Sequence, residues 1–262
     1  GSARTLLRRW IIRCRSFGTR LTEMRETMQR LAQDIKTGQF ARVYLLYGEE
    51  AYLRKQYRDR LKEAIIGDDT MNYHYYEGKN ISVGEVIDQA ETLPFFAERR
   101  LLVIENSGLF KSGGEELAEY LKEPAPTAFF LMVETEIDKR SRLYKAVQAK
   151  GCAVEFSVQD ESTLKRWLLG MVKKENKKIT ESALDFFLEK TGTDMENIRR
   201  EMEKLFCYCL EKEAITEADI SEICTKRIGN HIFDMVGAIA EKRQKKALEL
   251  YYELLAQKEP PM

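Results

Sequence analysis

The spacing of apolar residues divides the chain into an alternating part and a purely helical part. From Met28, "MQRLAQDIKTG" carries its apolar residues at helical spacing and stops at Gly38, a common C-terminal signal. "VYLLYG", 43–48, is a short unbroken run of strand formers closed by a glycine. "EEAYLRKQYRDRLKEAII" sets Tyr52, Leu53, Tyr57, Leu61 and Ile65 on one helical face. The alternation then repeats: strand "MNYHYYEG", helix "SVGEVIDQAETL", strand "RLLVIE", helix "GEELAEYLKE", strand "AFFLMVE", helix "KRSRLYKAVQAKG" and strand "CAVEF". Ser82 with Glu85 three residues later predicts a capping box at the second of these helices. Five short apolar strands separated by helices predict a parallel sheet covered on both faces.

After about residue 158 the strand signal stops. "DESTLKRWLLGMVKKENKKI", "TESALDFFLEKTG", "TDMENIRREMEKLFCYCLEKE" and "TEADISEICTK" read as four successive amphipathic helices, three of them opened by a capping threonine at 180, 193 and 216. The last stretch, 230–262, continues as helix and ends at Pro260-Pro261-Met262. An amphipathic hairpin without partner helices predicts a chain cut inside a third domain. There is no internal repeat and no low-complexity segment.

Composition describes a folded, helix-rich protein, at 44% hydrophobic and 33% charged residues. The formal net charge of zero hides an asymmetry. Residues 1–27 hold seven arginines against two acids, leaving 36 basic and 41 acidic residues in the remainder. A mildly acidic body argues against attachment to nucleic acid mainly by its own phosphate-neutralising surface. No segment approaches 18 consecutive apolar residues, so no membrane span is predicted. The five cysteines, at 14, 152, 207, 209 and 224, lack zinc-ligand spacing, and Cys207 and Cys209 point to different sides of a helix. They read as reduced thiols of a cytosolic protein, and no metal is expected.

The N-terminal 27 residues read as a leader outside the fold. Gly1-Ser2 resembles a cloning scar, and the arginine-rich stretch behind it has the composition of a transit peptide. The favoured reading is upstream sequence translated from an early start, with Met24 or Met28 the natural beginning.

A strand that ends in glycine and opens into a helix is where an α/β nucleotide-binding domain carries its phosphate loop. Such a loop needs several glycines, so that backbone N–H groups wrap the phosphates, and a closing Lys with Ser or Thr. The sequence "YGEEAYLRK" offers Gly48 alone, followed by Glu49 and Glu50 where phosphates would sit. Arg54 and Lys55 come too late, and in "LLVIEN" Asn106 follows Glu105 in place of a second acid. This is an ATPase architecture without an ATP site. The rest of the catalytic repertoire is equally thin. His74 lies among tyrosines and reads as a packed or rim histidine, and His231 as a helix cap or interface residue. No serine sits in a nucleophile elbow, so no catalytic residue and no cofactor are expected. The run "KKENKK" could bring Lys173, Lys174, Lys177 and Lys178 to DNA phosphates, although a solvated helix end is the plainer reading. In "AETLPFFAERRLLVIEN", Phe95 and Phe96 follow Pro94 between a helix and a strand. From the residues alone, such a pair is at least half core.

Four stretches, "VYLLYGEEAYLRKQ", "ETLPFFAERRLLVIEN", "TGTDMENIRREMEKL" and "IFDMVGAIAE", occur in the order and spacing of one family. The chain from Met28 onward resembles the delta subunit of the bacterial DNA polymerase III clamp loader. The resemblance implies a degenerate AAA+ domain over 28–158 with a five-stranded parallel sheet, an all-α lid over 159–229, and the start of a truncated helical collar over 230–262. It also implies a replication subunit of the bacterial cytoplasm, at the nucleoid-associated replisome. The holoenzyme is a nucleotidyltransferase, a DNA-directed DNA polymerase, but this subunit hydrolyses no ATP. The family binds the ring-shaped sliding clamp (the beta subunit) and helps open it. The gamma/tau and delta-prime subunits join through the collar, around primer–template DNA. Its clamp contact is a hydrophobic pair near the end of a helix, which matches Phe95 and Phe96 here, with Leu93 two residues earlier. Relatives often carry Leu-Phe, so Phe95 is a conservative departure. The resemblance reverses the burial expectation for at least one ring, Phe96 foremost. The alternatives are an active AAA+ ATPase or helicase loader, and a DNA-binding adaptor.

Overall fold

The computed structural model describes residues 27–224 together with 244, 247, 248, 251 and 252. Most of the expected leader, most of the expected collar segment and His231 lie outside the described residues. The chain falls into two compact units that divide after Val158.

The first unit is a five-stranded, fully parallel sheet of β1 (Val43–Tyr47), β2 (Tyr73–Glu77), β3 (Arg100–Glu105), β4 (Ala128–Glu134) and β5 (Cys152–Glu155), in the order β2-β3-β4-β1-β5. The three inner strands are buried along almost their whole length, which explains their unbroken apolar runs. Alternate residues serve opposite faces, as a strand's period of two requires. Val43, Leu45, Leu102, Ile104, Phe130 and Met132 face α3 (Val83–Glu91), α4 (Glu115–Tyr120) and α5 (Arg142–Lys150). Tyr44, Leu46, Leu101, Val103, Leu131 and Val133 face α1 (27–37) and α2 (Ala51–Ile66). Gly38 ends α1 at φ +71°, its N–H bonded to the Asp34 carbonyl, as its position predicts. Ser82 caps α3 by accepting from the Glu85 N–H at 3.3 Å, which is the serine half of the expected box.

The second unit holds α6 (Glu161–Lys174), α7 (Glu181–Thr191), α8 (Met195–Tyr208) and α9 (Glu217–Ile223). Thr180 and Thr216 are the caps of α7 and α9. Thr193 is not a cap: Asp194 takes that place for α8, accepting from the Asn197 N–H at 2.9 Å. A carboxylate suits the positive end of a helix better than a hydroxyl does. The strand signal also does not vanish entirely. Lys178–Ile179 (β6) pairs in parallel with Ala214–Ile215 (β7), a ladder too short to leave a periodicity in the sequence.

Candidate functional site: an exposed aromatic turn

Helix α3 ends at Thr92, whose N–H and hydroxyl both return to the Asp88 carbonyl, at 3.2 and 2.8 Å. Its backbone then swings to an extended ψ of 126°, and Pro94 prevents the helix from resuming. Beyond it the chain makes a short turn back to β3. On that turn Leu93 is 79% exposed, Phe95 57% and Phe96 96%. Both rings therefore leave the core, and the burial expected of an isolated Phe-Phe pair does not hold. The rings lie edge to face, centroids 4.5 Å apart at 80°, a favourable aromatic geometry. Each large apolar side chain left outside forgoes about 1.5–3 kcal/mol of burial. Phe96 also sits at φ +49°, a left-handed conformation that disfavours an L-residue by about 1–2 kcal/mol. Exposure and backbone strain thus fall on adjacent residues of one turn.

The backbone beneath the rings is held from both sides. Asn72, fully buried just ahead of β2, accepts from the Phe95 N–H at 2.7 Å and donates to the Phe95 carbonyl at 2.9 Å. Its second amide hydrogen goes to Asp69 Oδ2 at 2.7 Å, and Asp69 Oδ1 accepts the Asn72 N–H at 3.1 Å. These bonds from Asn72 hold the Asp69 carboxyl below its ordinary range. Arg100, buried at the start of β3, donates to the Leu93 carbonyl at 3.0 Å, to Gln89 at 3.1 Å and to His74 Nε2 at 2.6 Å. His74 is thus a packed residue with a neutral ring, its pKa lowered first by burial and then by the Arg100 charge. The sequence reading missed Asn72, Asp69 and Arg100. The available signals were an Asp-x-x-Asn spacing before a strand and an arginine opening an apolar run.

At the end of β1, three residues join strand to helix. Gly48 adopts φ +122° and passes so close to Phe156 that an added Cβ would lie 2.3 Å from its carbonyl oxygen. The Glu50 N–H bonds that same carbonyl at 3.0 Å. The Glu50 carboxylate caps α2, accepting from the Tyr52 N–H at 3.2 Å. The helix N-terminus that would receive a phosphate therefore already holds an anion of this chain, and Glu49 is exposed beside it. Behind the turn, Arg54 is only 8% exposed, and its Nε has no hydrogen-bond partner. Burial pulls its pKa down against the influence of Glu105, Glu134 and Glu50. Glu134 is itself raised by burial, although Ser107 donates to it through N–H and hydroxyl at 2.9 and 2.5 Å.

In the second unit the four lysines do not act alike. Lys173 and Lys174 are exposed at the end of α6. Lys177 donates to the carbonyls of Cys209 and Lys212, at 2.5 and 2.9 Å, and so closes the end of α8. Lys178 pairs loosely with Glu213 at 3.8 Å. Among the described residues no group of three or more His, Cys, Asp or Glu could hold a metal ion, and no helix is long and apolar enough to cross a membrane.

Comparison with known proteins agrees with this architecture. The family model "DNA polymerase III, delta subunit" matches residues 44–157, and "DNA polymerase III delta subunit, C-terminal domain" matches 229–262. Together they take in more than half of the chain. The DNA polymerase III subunit delta of Bacillus subtilis is 26% identical over 88% of this chain and 70% of its own length. The "Probable DNA polymerase III subunit delta" of Aquifex aeolicus is 26% identical over 82% of this chain and 64% of its own. The solved structure of the Bacillus subtilis DNA clamp loader delta protein shares the fold, with a TM-score of 0.65 at 24% identity over 88% of this chain and 72% of that one. The chain belongs to the DNA polymerase III delta-subunit family.

Proposed function

We propose that this chain binds the sliding clamp by inserting Leu93, Phe95 and Phe96 into an apolar cleft of the ring, and that it helps open the ring without hydrolysing ATP. The observation that carries the reading is the presentation of three large apolar side chains to solvent on a backbone fixed from both sides. Aromatic anchors in apolar pockets tend to dominate interfaces, at roughly 2 kcal/mol or more per residue. Opening needs only that the wedge bind a strained or open ring interface more tightly than a closed one, which shifts the population without covalent chemistry.

The absence of hydrolysis is supported by the three-residue turn after β1 and by Glu50 capping α2. Neighbouring subunits, of the gamma/tau and delta-prime type, supply ATP binding and join through the collar that 230–262 begins, and 159–229 is the lid. Lys173 and Lys174 are available to primer–template DNA, whereas Lys177 is committed to α8. The test is capture by the same organism's purified clamp. The Phe95→Ala/Phe96→Ala double variant should lose capture while folding normally, and undiminished capture would refute the wedge.

A further inference from the structure

Resting on the reading of the turn as a clamp wedge, we propose that Asn72 and Arg100 are positioning residues, a backbone bracket that sets Phe95 and Phe96 in their binding conformation before any partner arrives. A carboxamide carries one acceptor and one donor side by side in a plane. Asn72 uses both on a single residue, bonding the N–H and the carbonyl of Phe95 at 2.7 and 2.9 Å as a neighbouring strand would. The carboxamide is fixed in turn by Asp69, and the Asn72 carbonyl accepts from the Leu101 N–H at 2.9 Å. The wedge is therefore continuous with the β2–β3 edge of the sheet. Arg100 holds the other limb of the turn through the Leu93 carbonyl, braced on Gln89 and His74.

A connection from Leu93 to Arg99 that bears two exposed rings would otherwise sample many shapes, and binding would carry the entropy of ordering them. With Phe95 pinned, the left-handed φ of Phe96 directs the second ring away from the core at 96% exposure. Asn72 is fully buried and bonds Phe95 at its backbone N–H and carbonyl, so its effect on affinity passes through the turn.

That dependence is what a double-mutant cycle measures. The full 262-residue chain is titrated calorimetrically with the purified clamp as wild type, Asn72→Ala, Phe96→Ala and the double variant, and amide hydrogen exchange is followed in the free chain. Asn72→Ala should weaken binding by about tenfold, the order expected for unpairing buried polar groups. In the Phe96→Ala background the same change should have less than about a twofold effect. Exchange of the Phe95 amide should speed up while the Leu45 and Leu131 amides of the sheet keep their protection. Unchanged affinity in Asn72→Ala, fully multiplicative losses or an unaltered Phe95 amide would overturn the bracket. Normal affinity in Phe96→Ala would instead overturn the wedge, and the bracket's role in binding with it. Where Asn72→Ala does not fold, Arg100→Lys carries the same cycle, because it keeps the buried cation and loses the planar fork.

Discussion

Gly48 shows how much one residue decides. Its φ of +122° is open to glycine and hostile to any side chain, and a Cβ there would overlap the Phe156 carbonyl. Gly48→Ala should therefore destabilise the first unit by roughly 2–4 kcal/mol, from steric overlap together with backbone strain. Urea unfolding of the two proteins checks this, and a loss below half a kcal/mol would contradict it. The glycine was visible in the sequence, but its partner was not, because Phe156 lies more than a hundred residues away. The same holds for the wedge. Pro94 and the two phenylalanines could be read directly, and their family resemblance pointed outward. Their support could not be read, since Asn72 and Arg100 meet the turn only once β2 and β3 pair.

At the level of elements, the strands were legible because β1, β3 and β4 are buried on both faces and so apolar throughout. Helix starts were legible where one side chain does the capping, and misplaced by a residue where two candidates adjoin, as with Thr193 and Asp194. The two-residue strands β6 and β7 were beyond reach, since pairing that short rests on tertiary neighbours. Helix α9 offers a pH test. Lys212 first, then the Thr216 hydroxyl and N–H, hold the Asp219 carboxyl at about 2, against an ordinary value of 3.8. A depressed carboxyl contributes stability that is complete above its unfolded value and is lost as pH falls through the folded one. Stability measured by urea unfolding should thus fall from about pH 4 toward pH 2. Asp219→Asn should lower the plateau and flatten this part of the decline. A parallel curve for the variant would show that this decline does not come from Asp219.

Across the whole molecule, Glu50 caps α2 at the turn after β1, while the exposed Phe95–Phe96 pair lies on a different turn, ahead of β3. A ligand at a hundred times its Kd stabilises a protein by about 2.7 kcal/mol. Millimolar magnesium-ATP should therefore leave the thermal midpoint of this chain unmoved in scanning calorimetry. An upward shift of several degrees would reinstate an ATP-binding reading. The sequence showed the missing glycines and the acids after Gly48 plainly, because these are local facts. It supported the surface roles of the lysines poorly, because only the fold shows Lys177 turned onto the carbonyls of α8.

The brevity of the turn between β1 and α2 bears on descent as well as on mechanism. A phosphate cradle of the familiar kind runs to eight residues, and here Gly48, Glu49 and Glu50 make the whole connection. No single substitution in this lineage can rebuild one. Reversion would need an inserted loop, removal of the Glu50 cap and release of the strand end from Phe156, and none of these steps alone yields a site for selection to favour. On the function proposed above, the turn would work as a ratchet: a subunit built this way draws its fuel from partners and has no short route to a site of its own.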